Sequence, residues 1–165
     1  MIGVILLIGV MGAGSSGSGA SQAVETVNEI NQMRAGVKIL GYSHDFAGIN
    51  NDVMEVGGVM PQELIAGAVG AGNDVDAWGG SAGVGDYCYG YANTPCYEMW
   101  FFNVPRAACV ALASQVAIPA EMAPLVGYAI DISGVGYGQA GQPLTPTQAA
   151  AACVGNNDLA WFFND

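Results

Sequence analysis

The first thirteen residues, Met1 to Ala13, carry no charge and no strongly polar side chain, and the first carboxylate in the chain is Glu25. A run of this kind must be hidden from water, in a core, in lipid or against a neighbour. As a helix it would be about 20 Å long, short of the roughly 30 Å of a bilayer's hydrocarbon core. Three readings compete. A secretory h-region would need a basic stretch ahead of it and a small-residue cleavage site behind it, and neither is seen by Ser15. A core strand would alternate, which this run does not. The third reading is the apolar end of a longer helix, lying in a membrane before assembly and in a filament core afterwards.

The residues after Ala13 favour the third reading. Gly14, Gly17 and Gly19, with Gly12 just before them and Ala and Ser between, form a helix-weakening break. From Ala20 to Leu40 helix formers return. Ala23, Val27, Ile30, Met33 or Arg34, Val37 and Leu40 are spaced by three and four, one buried stripe of an amphipathic helix. Glu25, Glu29 and Gln32 are expected largely on the opposite side. Gly41 suits a C-terminal cap.

The charge is one-sided: 14 carboxylates face 3 cations, Arg34, Lys38 and Arg106, for a formal net charge of −11. Nucleic-acid binding needs clustered Lys and Arg, so it is not expected, and anionic lipid headgroups are disfavoured for the same reason. The surface acidity reads as a device for solubility. Four cysteines fit two disulfides in an oxidising compartment. Four cysteines allow three pairings; the preferred one closes a short loop, Cys88 to Cys96, and a long one, Cys109 to Cys153.

Beyond the first helix, short helices are expected at Asn51–Val56, Gln62–Val69, Arg106–Val116 and Pro146–Ala152. Short strands are expected at Ser81–Tyr91, Tyr97–Val104, Tyr128–Ser133 and Leu159–Phe163. The fold class is α+β: a long N-terminal helix packed on an antiparallel sheet, stapled by disulfides. Residues 1–19 make one unit, the apolar helix end plus the break, and residues 20–165 the globular domain.

Several stretches taken in order resemble type IVb pilins, including those of conjugative thin pili. Ile8-Gly9-Val10-Met11-Gly12 is similar to the core of the pilin N-terminal helix. Asp76-Ala77-Trp78-Gly79-Gly80 resembles the Asn-x-Trp/Phe-Gly-Gly that opens the pilin sheet. Val104-Pro105 through Cys109 to Leu112 resembles the family's Val-Pro-x-x-x-Cys-x-x-Leu, and Cys153 with the apolar run after it the second half of the family's long disulfide. One position departs. Aligning Gly9 and Gly12 to the family's glycines puts Gly3 where the family carries a glutamate that meets a neighbour's N-terminal amine.

The resemblance implies a structural subunit of an extracellular filament on the bacterial surface, serving adhesion, aggregation or cell–cell contact. Its partners would be copies of itself in a helical homopolymer, the inner membrane before assembly, and the pilus assembly machinery. Ile2, Gly3, Val4, Ile5, Leu6, Leu7, Ile8, Gly9, Val10 and Met11 would pack the filament core, the small residues allowing close approach. A minor pilin, a secretion pseudopilin and a secreted disulfide-bonded binding module are the alternatives.

No catalytic residue, metal site or cofactor is expected. Asn73-Asp74-Val75-Asp76 has calcium-type oxygens without the remainder of an EF-hand pattern. His44 has no accompanying nucleophile motif, and Gly134-Val135-Gly136-Tyr137-Gly138 reads as a turn. Tyr87, Tyr89 and Tyr91 alternate onto one strand face and, with Tyr97, are candidates for a surface or interface cluster; cross-strand pairing is the plainer explanation.

Overall fold

In the computed structural model the residues described are 18–87, 95–114, 125–130, 137–139 and 144–164. Helix α1, Ser18–Ile39, has 22 residues and is about 33 Å long. It turns Ala23, Thr26, Ile30, Met33 and Val37 inward, all within 2% of complete burial. Its end is a Schellman motif: the Tyr42 N–H donates to Val37 O and the Gly41 N–H to Lys38 O. Gly41, at φ 87°, supplies the left-handed residue this requires.

A short helix α2, Asn51–Val56, packs against α1 and is capped by the Asn50 side chain accepting from the Val53 N–H at 2.9 Å. The two helices meet at Gly36, where an added Cβ would come within 2.9 Å of Met54 Cε in α2 and of Val59 just beyond it. The remaining elements are β1 (Ala82–Gly85), β2 (Tyr97–Pro105), α3 (Arg106–Ser114), β3 (Leu125–Ile130), β4 (Tyr137–Gln139), α4 (Pro146–Ala152) and β5 (Asn156–Phe163). The strands form one antiparallel sheet in the order β1-β2-β5-β3-β4. The α+β arrangement expected from the sequence is the one observed.

Strand β2 shows the period of two. Tyr97, Met99 and Phe101 point into the core, while Glu98, Trp100 and Phe102 are only half-buried. Strand β5, in the middle of the sheet, is buried without interruption from Leu159 to Phe163, so both of its faces are covered. Aromatic rings tie these strands to their surroundings: Tyr97 lies 4.8 Å from Phe46 and 5.6 Å from Phe163, and Phe101 meets Trp161 edge-on at 5.9 Å.

Four expectations are corrected. Residues 62–69 form turns rather than a helix: one turn closes from Leu64 to Pro61, and then Gly67 and Gly70 take positive φ and end it. Strand β1 stops at Gly85, short of Tyr91, where the Asp86 carboxylate accepts from the Gly48 N–H at 2.8 Å. Tyr137 to Gln139, expected in part as a turn, is the edge strand β4. Glu29, expected on the outer side of α1, is 2% exposed.

Candidate functional site

Two features of this domain stand out: a loop docked onto α1, and a face of α1 left open. The loop is Asp76-Ala77-Trp78-Gly79-Gly80. One Asp76 oxygen accepts from the Trp78 and Gly80 N–H groups at 2.9 and 2.8 Å. The Asp76 N–H donates to Gly80 O, and the Gly79 N–H to Asp76 O. An aspartate is suited to organise so tight a turn because its carboxylate reaches the backbone two residues on. Gly79 sits at φ 77°, and a Cβ on Gly80 would lie 1.9 Å from Phe102 O. Trp78 then reaches α1, its indole N–H donating to Gln22 Oε1 at 3.1 Å.

Asn51 fastens the next stretch. Its amide donates to Ala82 O at 3.0 Å and accepts from the Val84 N–H at 2.8 Å, pairing with the open edge of β1 as a strand would. Cys109 and Cys153 are bonded, with Cα atoms 5.9 Å apart, joining α3 to the end of α4. Arg106 donates to Cys153 O and Ala150 O at 3.0 and 3.1 Å, so a guanidinium caps the carbonyl end of α4. Cys96 is also disulfide-bonded; Cys88, its expected partner, lies outside the described residues.

The other candidates divide. Tyr97, proposed for the surface, is fully buried, because its strand places it on the same face as Met99 and Phe101. Tyr87 is 61% exposed but lies beyond the end of β1, so it is not part of a strand face; Tyr89 and Tyr91 lie outside the described residues. Gly19, proposed for the helix break, is within α1, where its Cβ position would lie 3.8 Å from Ala107 of α3. Packing against α3 offsets the intrinsic weakness of a glycine in a helix. Gly12, Gly14 and Gly17, and the apolar residues Ile2 to Met11, lie outside the described residues. Among the described residues no group of three His, Cys, Asp or Glu side chains is arranged to hold a metal ion.

Sequence reasoning missed the open face of α1. Val24, Asn28, Asn31, Ala35 and Ile39 recur at steps of four and three and are all exposed, Ile39 by 74%. The stripe holds no charge, in a chain whose net charge is −11. Its spacing is visible in the sequence, but the flanking Glu25 and Lys38 obscure it.

Burial also explains the acid–base behaviour here. Desolvation first, and then the charges of Glu25, Glu63 and Asp76, push Glu29 up from 4.5 to about 7. Desolvation and then Asp86 push Glu98 from 4.5 to about 7. The folded state therefore binds protons that the unfolded chain releases. The stability these two groups confer is complete below pH 4.5 and is lost as pH rises through about 7. Thermal melts should accordingly show a lower midpoint at pH 8 than at pH 5. Glu29→Gln, which keeps the shape and removes the charge, should raise the pH 8 midpoint by about 3 °C or more and flatten the profile.

Comparison with known proteins places this architecture. The family model described as PilS N terminal matches residues 20–164. Among solved structures, the type IVb pilin from Salmonella typhi superposes with a TM-score of 0.58 at 19% identity, covering 91% of this chain and 100% of that one. At that identity the likeness concerns the fold. No match was found among curated proteins. A helix laid on an antiparallel sheet, a disulfide from the strand-to-helix segment to the C-terminal region, and a family match over nearly the whole domain agree: the chain belongs to the type IVb pilin family.

Proposed function

We propose that the chain is a structural subunit of a type IVb pilus, polymerised with copies of itself and supporting adhesion, aggregation or cell–cell contact. The observation that carries this reading is the charge-free stripe of Val24, Asn28, Asn31, Ala35 and Ile39 on the open face of α1, flanked by Glu25 and Lys38. A helix that buries one side in its own domain and leaves a charge-free stripe on the other is suited to pack against a copy. Such a stripe brings copies together without opposing their carboxylates.

In this reading Ile2 to Met11 form the filament core, with Gly12, Gly14 and Gly17 as the pliable break. Residues 1–19 are then one unit, the apolar helix end with the break, and residues 20–165 the globular domain. The same apolar residues hold the subunit in the inner membrane before the assembly machinery extracts it; among the described residues no helix is long and apolar enough to cross a membrane.

A test is to place a charge on the stripe. Ala35 is exposed, so Ala35→Glu should change folding stability by less than about 0.5 kcal/mol. Filament yield in the sheared fraction should fall at least tenfold. Wild-type filament yield from a normally folded Ala35→Glu subunit would remove the stripe from the assembly contacts.

A further inference from the structure

Residues 61–81, between α2 and β1, lie across both helices, and the groups that meet at their two seams are carboxyls. On the α2 side Asp74 faces Glu55 and Asp52, with the Asn51 amide alongside. On the α1 side Glu63 and Asp76 approach Glu29, with Glu25 on the same helix and the Thr26 hydroxyl beside it. Strand β1, which continues from the segment, contributes no titratable side chain. The charges acting on Asp74 and on Glu29 are therefore all negative. Asp74 is 2% exposed and neither of its carboxylate oxygens accepts a hydrogen bond; Glu55, at 4%, leaves one oxygen unpaired while the other accepts from the Gly70 N–H.

Buried carboxylates facing one another are unfavourable when both are charged, even with the Asn51 amide beside Asp74 and the Gly70 N–H on Glu55, and a single proton turns the repulsion into a hydrogen bond. The end of the segment is fixed to the sheet, where Gly80 packs on Phe102 and the Ser81 carbonyl accepts from the Phe102 N–H at 2.9 Å. Before it, residues 61–76 are held besides these carboxyls by the buried Leu64 and by the Ala82 N–H to Asp74 O bond at 3.1 Å, and the neighbouring Trp78 donates to Gln22. We propose that residues 61–76 are a proton-gated strap: in mildly acidic surroundings carboxyl pairs hold it against α1 and α2, and in alkaline surroundings like charges lift it while the sheet stays folded.

Linkage sets the direction and size of the effect. Burial, and then the Glu55 charge, push Asp74 from 3.8 up to about 6. A lifted strap returns the group to water and to its ordinary value. The closed-to-open ratio from Asp74 alone then falls about tenfold between pH 5 and pH 8, and Glu29 adds to it in the same direction.

Hydrogen exchange read by mass spectrometry on the full chain in non-ionic detergent tests this, with rates normalised to the intrinsic pH dependence of exchange. Protection of amides in residues 61–76 should fall tenfold or more from pH 5 to pH 8, and at pH 8 it should lie at least tenfold below that of β5, whose own protection falls only with the global stability that Glu29 and Glu98 control. Asp74→Asn, and as a second variant Glu55→Gln, should shrink the fall in the strap by about tenfold, since a neutral amide stands in for the protonated carboxyl. Equal strap protection at both pH values would overturn the proposal. So would strap amides as well protected as those of β5 at pH 8, which would mean that both exchange through global unfolding, or variants that keep the full wild-type dependence.

Discussion

Replacing Cys109 and Cys153 together with serine should lower the free energy of unfolding by about 4 kcal/mol, the largest loss expected from a pair of substitutions here. The bond closes a loop spanning 44 positions in sequence, and on chain-entropy reasoning a cross-link of that span removes about that much freedom from the unfolded chain. Both cysteines are completely buried, so two hydroxyls in their place add a desolvation cost to the lost constraint. The bond also fixes where α4 ends, and thereby the carbonyls that Arg106 caps. Chemical denaturation of the double variant, compared with the oxidised parent, measures the loss. A change below about 1 kcal/mol would mean that the unfolded chain is already restricted in this region.

Gly80→Ala should be nearly as damaging although it adds one methyl group. Its Cβ would lie 1.9 Å from the Phe102 carbonyl oxygen, a backbone atom that cannot rotate away. The Ser81 carbonyl accepts from the Phe102 N–H at 2.9 Å, so shifting one chain breaks the register of β1 on β2. A loss of about 3 kcal/mol or more is expected, at the upper end for overpacking a closed site. Gly79→Ala serves as a comparison. Its Cβ position is open, so only the positive φ is penalised, and about 1 kcal/mol should be lost. Equal losses at the two glycines would show that conformation, not contact, makes the Gly-Gly pair necessary.

Where local chemistry decides the structure, the sequence is a good guide. The Gly41 cap, the helix from Asn51 to Val56, and the end of β2 with α3 starting just after Pro105 all fall close to where caps, periodicity and proline place them. The capping box of Thr145 and Gln148 fixes α4 in the same way. Where tertiary packing decides it, sequence patterns mislead. Residues 62–69 have helix-like spacing, yet Gly67 and Gly70 take positive φ, and the Gly70 N–H is drawn to Glu55 of α2. Glu29 is covered because the α2–β1 loop lies over a side of α1 that a single apolar stripe would have left wet.

The candidate site is legible to a similar degree. Asp76 to Gly80 is recognisable as a strand entry, and the structure shows that Asp76 acts by gathering two backbone N–H groups. Alternation tells which residues share a face but not which face is inside, so it gives no sign that Tyr97 is buried. The neutral stripe of Val24, Asn28, Asn31, Ala35 and Ile39 is hard to read because asparagine and alanine give little hydropathy contrast to either side.

The central claim is that copies of this chain build a filament. Negative-stain electron microscopy of material sheared from cells producing the protein, with mass spectrometry of the fibres, tests it directly. Thin filaments composed mainly of this chain, with Cys109 linked to Cys153, are the result the account predicts. Recovery of the chain only as a soluble monomer, with no filaments in the sheared fraction, would contradict it.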